Sequence, residues 1–168
     1  MSSITQTPKN EVNRSLYAQR RLRWWAIKVI CGSILIGALL FKTIYVLSSY
    51  WPFSIAFAQI VSLTGFTLVI YHYILLRRHN KNIVEPSILV TNQGLYRWLR
   101  HPMYLADAIW FTGIFMLYAN PVTLVVLLIG YVALVLNVSE EDRCLEAVFG
   151  DTFIEWKKRT KKLVPLLF

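Results

Sequence analysis

The sequence predicts an all-α integral membrane protein with about four transmembrane helices, a short C-terminal helical hairpin and a cytoplasmic amphipathic tail. Hydrophobic residues make up 56% of the 168 residues, more than a soluble core of this size needs. The six Trp, nine Tyr and nine Phe lie mostly near the ends of apolar runs, as aromatic residues at membrane interfaces do. The basic residues flank these apolar runs.

The first two apolar runs predict one helical hairpin across the membrane. The first span extends from Trp24 to about Leu47, with Lys28 and Lys42 near its ends, where long side chains reach water. The second extends from Trp51 to Leu76. The connection at 48–50 is too short for anything but antiparallel neighbours.

Two shorter apolar runs predict the C-terminal hairpin. Met103 to Ala119 and Val122 to Val138 are separated by Asn120-Pro121, and each provides roughly 16–17 residues, or about 25 Å of helix. This is less than a hydrocarbon core of about 30 Å, so we expect a tight hairpin with hydrated cytoplasmic ends. The tail that follows is charged and partly amphipathic, and Gly150-Asp151 predicts a helix stop and a new N-cap within it.

The distribution of lysine and arginine predicts the orientation. Nearly all of them lie in the N-terminal flank, the 77–102 loop and the tail, and none lies in the 48–51 or 119–121 connections. The positive-inside rule therefore predicts that both termini are cytoplasmic. We expect a polar basic N-terminal segment over 1–23, of which Arg14 to Arg23 lies on the membrane surface, and a single membrane domain over 24–168.

The formal net charge of +9 is explained by basic residues that flank the membrane spans and contact anionic lipid headgroups. There is no RNA or DNA motif, so nucleic acid is not an expected partner. The surroundings of Cys31 and Cys144 have no metal-ligand spacing, so no metal is expected. The sequence leaves the oligomeric state open.

A first cluster of candidate site residues extends from Gly94 to Tyr104, where the loop enters the third span. Pro102 fits the first helical turn, where a missing N–H costs nothing. The helix N-terminus, with Arg100 and His101 beside it, favours an anion. The alternative is an ordinary basic membrane flank with interfacial aromatic residues.

A second cluster, Glu140-Glu141-Asp142, is expected at the cytoplasmic end of the fourth span. Acids at a helix C-terminus oppose the dipole by roughly 0.3–1 kcal/mol each, so they need a partner. The hairpin places them at the depth of Arg100 and His101. A cationic corner facing an anionic corner matches a zwitterionic, sulfonium-bearing ligand. Alternatively, these acids cap a helix beginning at Ser139 or pair with Arg100.

The residues Arg100-His101-Pro102-Met103-Tyr104, then Asn120-Pro121 and Glu140-Glu141, resemble the isoprenylcysteine carboxyl methyltransferase and phospholipid methyltransferase superfamily over about 85–168. The resemblance implies an integral membrane methyltransferase whose S-adenosylmethionine site lies between the hairpin and the tail. Ala106 departs from the glycine common at its position. The cofactor-binding residues implied are Arg100, His101, Pro102, Tyr104, Glu140 and Glu141.

Methyl transfer from a sulfonium is an in-line displacement that needs alignment and a desolvated nucleophile. The candidate catalytic residues are Arg100, Asp107 and Glu141. Arg100 could position a carboxylate acceptor. Asp107 is the acid within an apolar segment, and such a carboxylate is a functional candidate. Alternatively, Asp107 reaches the interface or pairs with Arg100.

The methyl acceptor stays open among a prenylcysteine-like carboxylate, a lipid amine and a hydrophobic thiol. A second hypothesis is an NADPH-dependent sterol-type reductase, which shares a related motif, although Met103 stands where a polar residue is expected. A third is a non-catalytic membrane scaffold. We expect His72, Gln59 and Asn137 to hydrogen-bond inside the bundle and Trp156 to anchor the tail at the interface.

Overall fold

A computed structural model describes residues 11–41, 55–80 and 88–163, with the side chains of the first helix described from Gln19 to Leu40. These residues are helical with short connections, and the described part contains no strand beyond one isolated bridge, which confirms the all-α prediction. The helices are α1 (Glu11–Phe41), α2 (Ile55–His79), α3 (Pro102–Leu117), α4 (Pro121–Phe149) and α5 (Asp151–Arg159), with a 3₁₀ helix over Gly94–Arg97.

Within the described residues, three helical segments are long and apolar enough to cross a membrane: Gln19–Leu40 within α1, Ile55–His79, and Pro121–Phe149. The shorter α3 is also apolar, and its 16 residues span about 24 Å. A fourth span and the cytoplasmic placement of the termini stay predictions, as does the division of the chain after Arg23. The predicted 48–50 connection lies outside the described residues.

Helix α3 lies at the centre of the packing, against α2 on one side and between α1 and α4 on the other. Its side chains Phe111, Ile114 and Phe115 form a buried cluster with Leu35 of α1 and Leu127 of α4. Because α3 is covered on several sides, its apolar residues surround the helix rather than forming one stripe. In this central position α3 contacts α1, α2 and α4.

Two glycines allow the backbones of α2 and α3 to touch. A Cβ on Gly65 would lie 2.3 Å from the backbone nitrogen of Trp110, and a Cβ on Gly113 would lie 2.3 Å from that of Ser62. Glycine permits this approach because it has no side chain, as at many helix crossings in membranes. The crossing fixes the depth of α3 relative to α2.

Helix α4 begins as the sequence predicts but ends later. Asn120 accepts from the backbone nitrogens of Val122 and Thr123, a capping box, and Pro121 occupies the first turn. The helix continues to Phe149, so the acids at 140–142 lie about two turns before its end. The expectation that they oppose a helix C-terminus was wrong, as was a new helix at Ser139. Gly150, at φ 54°, ends α4 and is itself the N-cap of α5.

The tail folds back onto the start of α3. Arg100 donates its backbone N–H to Lys161 O at 2.8 Å, and Lys161 donates to Trp98 O at 2.8 Å, so residues 98–101 and 160–162 run side by side. On α5, Phe153 and Trp156 are buried, and the Trp156 indole N–H donates to Tyr96 O at 3.3 Å. The expectation that Trp156 anchors the tail at the interface was therefore wrong.

Candidate functional site

A cavity of about 390 Å³ lies where all five helices meet. Its walls are mostly apolar, with polar groups concentrated near the start of α3. The size is within the usual range for a small-molecule site, about 300–1,000 Å³. Its lining includes Arg21 and Trp25 from α1, Tyr96 from the 3₁₀ helix, Arg100, His101 and Tyr104 around the start of α3, Glu141 from α4 and Trp156 from α5.

The loop before α3 is built to present Arg100 and His101. Asn92-Gln93 bends, and Gly94 adopts φ +52°, a conformation that favours glycine, before the 3₁₀ helix begins. Pro102 then opens α3, as the sequence predicts, and His101 is the N-cap residue without a side-chain cap bond. The side chains of Arg100 and His101 therefore do not cap α3 and can contact other parts of the protein.

Arg100 holds the tail. Its guanidinium donates to Thr160 O at 2.7 Å and to Lys157 O at 3.2 Å, and its Nε lies 3.4 Å from Asp142 Oδ1. His101 Nε2 lies 2.7 Å from the same Asp142 oxygen. The basic residues before α3 and the acidic cluster Glu140-Glu141-Asp142 of α4 therefore meet directly, through Asp142. This contact buries the Asp142 carboxylate between two basic side chains and closes the tail over the cavity.

Glu141 lines the cavity, and its carboxylate is held in place by a hydrogen bond from α3. Tyr104 donates its hydroxyl to Glu141 Oε2 at 2.5 Å, and Asn137 Nδ2 donates to the Tyr104 oxygen at 3.1 Å. Tyr104 is 5% exposed and Asn137 is fully buried. The result is a carboxylate fixed at the cavity wall by a chain of hydrogen bonds from α4 through α3.

The other predicted residues lie elsewhere. Glu140 accepts from Arg143 at 2.9 Å, one turn along α4. Asp107 forms a buried ion pair with Lys28 of α1 at 2.5 Å, rather than with Arg100. Pro102 is buried at the start of α3. None of these three is among the described residues that line the cavity. Their predicted contacts with a cofactor or acceptor stay predictions.

Sequence reasoning missed the contribution of α1. Arg21 is only 8% exposed and lines the cavity, although the arginines before the first span were expected on the membrane surface. A signal was present: Arg21, Lys28 and Leu35 repeat at seven-residue spacing, which places them on one helix face. All three are buried.

Burial also shifts the pKa of Tyr96 in the cavity wall and of Lys162 in the tail. It raises the pKa of the Tyr96 phenol well above its ordinary range, with the Glu141 carboxylate as a second cause, so Tyr96 stays neutral. Burial lowers the pKa of the Lys162 amine, and Asp142 acts in the opposite direction. Lys162 donates to Ser139 Oγ at 2.9 Å, a second link between tail and α4.

The fold and the cavity define a small helical membrane protein with a partly enclosed, mostly apolar cavity whose polar groups lie near the start of α3, beside a docked C-terminal tail. The chain belongs to the phospholipid methyltransferase family, whose model matches residues 53–152. The match includes the whole of α2, α3 and α4, with the basic cluster before α3 and the acidic cluster within α4. It excludes α1 and most of α5, which contribute Arg21, Trp25 and Trp156 to the cavity lining.

Two relatives are also methyltransferases by name. A protein-S-isoprenylcysteine O-methyltransferase of Schizosaccharomyces pombe is 31% identical over 98 residues, 58% of this chain and 39% of the relative. One from Xenopus laevis is 30% identical over 88 residues, 52% of this chain and 31% of the relative. The aligned regions therefore span less than two-fifths of either relative. No solved structure gives a significant match.

Proposed function

We propose that this protein transfers a methyl group from S-adenosylmethionine to a lipophilic acceptor at the membrane. The observation that carries the proposal is the immobilised Glu141 carboxylate in a cavity that also contains the buried guanidiniums of Arg21 and Arg100. A small cavity with both charges suits a zwitterionic ligand with an additional cationic centre. The family and the two named relatives support methyl transfer.

The residues present fit S-adenosylmethionine. Glu141 would bind its cationic groups, and the guanidiniums would bind its carboxylate. The neutral ring of Tyr96 and the indole of Trp156 provide aromatic faces for a flat base or for a sulfonium. When bound, this cofactor supplies a methyl group on a positively charged sulfur.

The chain's own residues orient the reactants and exclude water. Arg100 and Asp142 hold the tail over the cavity, and Trp156 covers one side of it. With the cofactor bound, an in-line transfer of its methyl group would leave S-adenosylhomocysteine, and the rate enhancement would come from alignment and desolvation. Because the Tyr96 phenol stays neutral, it adds a hydroxyl to the cavity lining without adding a negative charge there.

Among the acceptors left open, the cavity favours a carboxylate. A carboxylate is already a nucleophile, whereas an amine or thiol must lose a proton to a base. The nearby acids are occupied: Glu141 accepts from Tyr104, Asp142 contacts His101 and Arg100, and Asp107 pairs with Lys28. Both relatives are named for O-methylation of isoprenylcysteine, a lipophilic carboxylate. We propose such an acceptor here, with the cavity and both termini at the cytoplasmic face.

Binding tests the cofactor directly. We expect S-adenosylhomocysteine to bind the detergent-purified protein in calorimetry and NADPH not to bind, because Glu141 repels a strongly anionic ligand. Affinity for NADPH alone would replace this proposal with the reductase hypothesis. Binding of neither ligand would favour the scaffold hypothesis.

Glu141→Gln tests the carboxylate. Glutamine keeps an oxygen that accepts from Tyr104, so the fold should be retained. The lost charge-assisted contact, worth about 1.5–3 kcal/mol, should weaken S-adenosylmethionine binding by about 10- to 150-fold. Glu146→Gln is the control, because Glu146 lies on the same helix, 43% exposed, and pairs with Lys157. Equal affinities for the two variants would remove Glu141 from the site.

A further inference from the structure

We propose that the buried Lys28–Asp107 ion pair is a positioning device for the cofactor site: it fixes the ring of Tyr104 and, through Tyr104, the carboxylate of Glu141. The inference rests on the proposed function above. It assigns a role to Lys28, which lies on α1 outside the region matched by the family.

The ion pair joins α1 to α3 in the interior. Lys28 Nζ lies 2.5 Å from Asp107 Oδ2, and the two side chains are 8% and 10% exposed. Neither residue is among the described residues lining the cavity. Removing two charges from water costs about as much as their attraction returns, so such a pair is a poor source of stability. Its position relative to Tyr104 indicates another use.

Three contacts fix Tyr104. The Lys28 ammonium lies 4.7 Å from the centroid of the Tyr104 ring, a distance suited to a cation–π contact. At the other end, the hydroxyl donates to Glu141 and accepts from Asn137. Asp107 holds Lys28 in place against the ring. Lys28 therefore restrains the ring from α1 while α4 restrains the hydroxyl.

This restraint reaches the ligand through Glu141. A glutamate side chain in a cavity wall has several rotamers, and binding must select one of them. Because Tyr104 is fixed in position, its hydroxyl selects the Glu141 rotamer before the ligand arrives. Such preorganisation improves affinity by removing the entropy cost from the binding step. Loss of the ion pair should therefore weaken binding without removing any contact to the ligand.

The test is the double variant Lys28→Met, Asp107→Leu, which replaces both charges with apolar side chains of similar size. Because well-packed apolar replacements of buried ion pairs are often neutral or stabilising, the double variant should fold with an unchanged or higher melting temperature. Its affinity for S-adenosylmethionine should fall by about two- to tenfold, as expected for one or two newly mobile side chains. An unchanged affinity would overturn the proposal.

A cycle with Tyr104→Phe separates positioning from a general structural effect. If the ion pair acts through Tyr104, the phenylalanine substitution should cost less affinity in the double variant than in the wild type. Equal losses in both backgrounds would mean that the ion pair acts by another route and would refute the proposal. If the wild type itself fails to bind S-adenosylmethionine, the proposed function fails first, so the two failures are distinguishable.

Discussion

Replacing Gly113 with alanine is expected to disrupt the docking of α3 on α2. The new Cβ would lie 2.3 Å from the backbone nitrogen of Ser62 and 2.4 Å from its Cα. Backbone atoms cannot rotate away as a flexible side chain can, so the helices must separate. We expect a loss of about 3 kcal/mol or more, at or beyond the upper end of overpacking. Gly65→Ala should behave alike, because its Cβ would meet the Trp110 backbone.

Gly37→Ala is the matched control. A Cβ at Gly37, in α1, has no neighbouring atom within 4 Å. Alanine favours helix over glycine by about 0.8–1 kcal/mol, so this variant should be as stable as the wild type or more so. Thermal unfolding in one detergent, followed by circular dichroism, compares the three variants. Stability of Gly113→Ala equal to that of Gly37→Ala would contradict the close crossing.

Replacing Asp142 with alanine should have the second large effect. Asp142 is the shared partner of Arg100 and His101, and all three are at least nine-tenths buried. Breaking a buried ion pair by removing one partner costs about 3–5 kcal/mol, because the remaining charge is left uncompensated. Arg100 would then turn toward water and release the tail carbonyls at Lys157 and Thr160. We expect a lower melting temperature and faster proteolysis after α5.

Glu155→Ala is the control for Asp142→Ala, since it removes an exposed acid from α5. It should leave both the melting temperature and the proteolysis rate unchanged. The opposite pattern for Asp142→Ala, with normal stability and a docked tail but lost S-adenosylmethionine affinity, would assign Asp142 to the ligand. The Arg100–Asp142 contact would then be incidental to the fold.

The elements of the fold, and the part of the chain that lines the candidate cavity around the start of α3, could be predicted from the sequence. Apolar runs flanked by basic residues predict the helices, and Pro102 and Asn120-Pro121 mark the starts of α3 and α4 correctly. These are local signals, because a helix start depends on a few adjacent residues and a span on composition. The motif around Arg100 and the acids at 140–142 likewise indicate where a charged site lies.

Which charges meet was decided by the tertiary structure alone. Glu140, Glu141 and Asp142 are consecutive, and their roles are set by the 100° that separates neighbours around a helix. Asp142 contacts Arg100 and His101, Glu141 contacts Tyr104, and Glu140 pairs with Arg143. From their position in the sequence, all three acids are assigned to one cluster at the cytoplasmic end of the fourth span. The direction of each side chain follows from the rotation of α4 against α3.

The sequence by itself determined that this is a helical membrane protein of the methyltransferase superfamily with charged groups at the start of α3. Only the tertiary structure revealed that α1 contributes Arg21 to the cavity lining, that Lys28 of α1 pairs with Asp107, and that the tail packs against residues 98–101. The physical reason is the separation in sequence of the residues that interact. Helix formation follows from neighbouring residues, whereas Lys28 and Asp107 are 79 positions apart and meet only after α1 packs on α3 and α4.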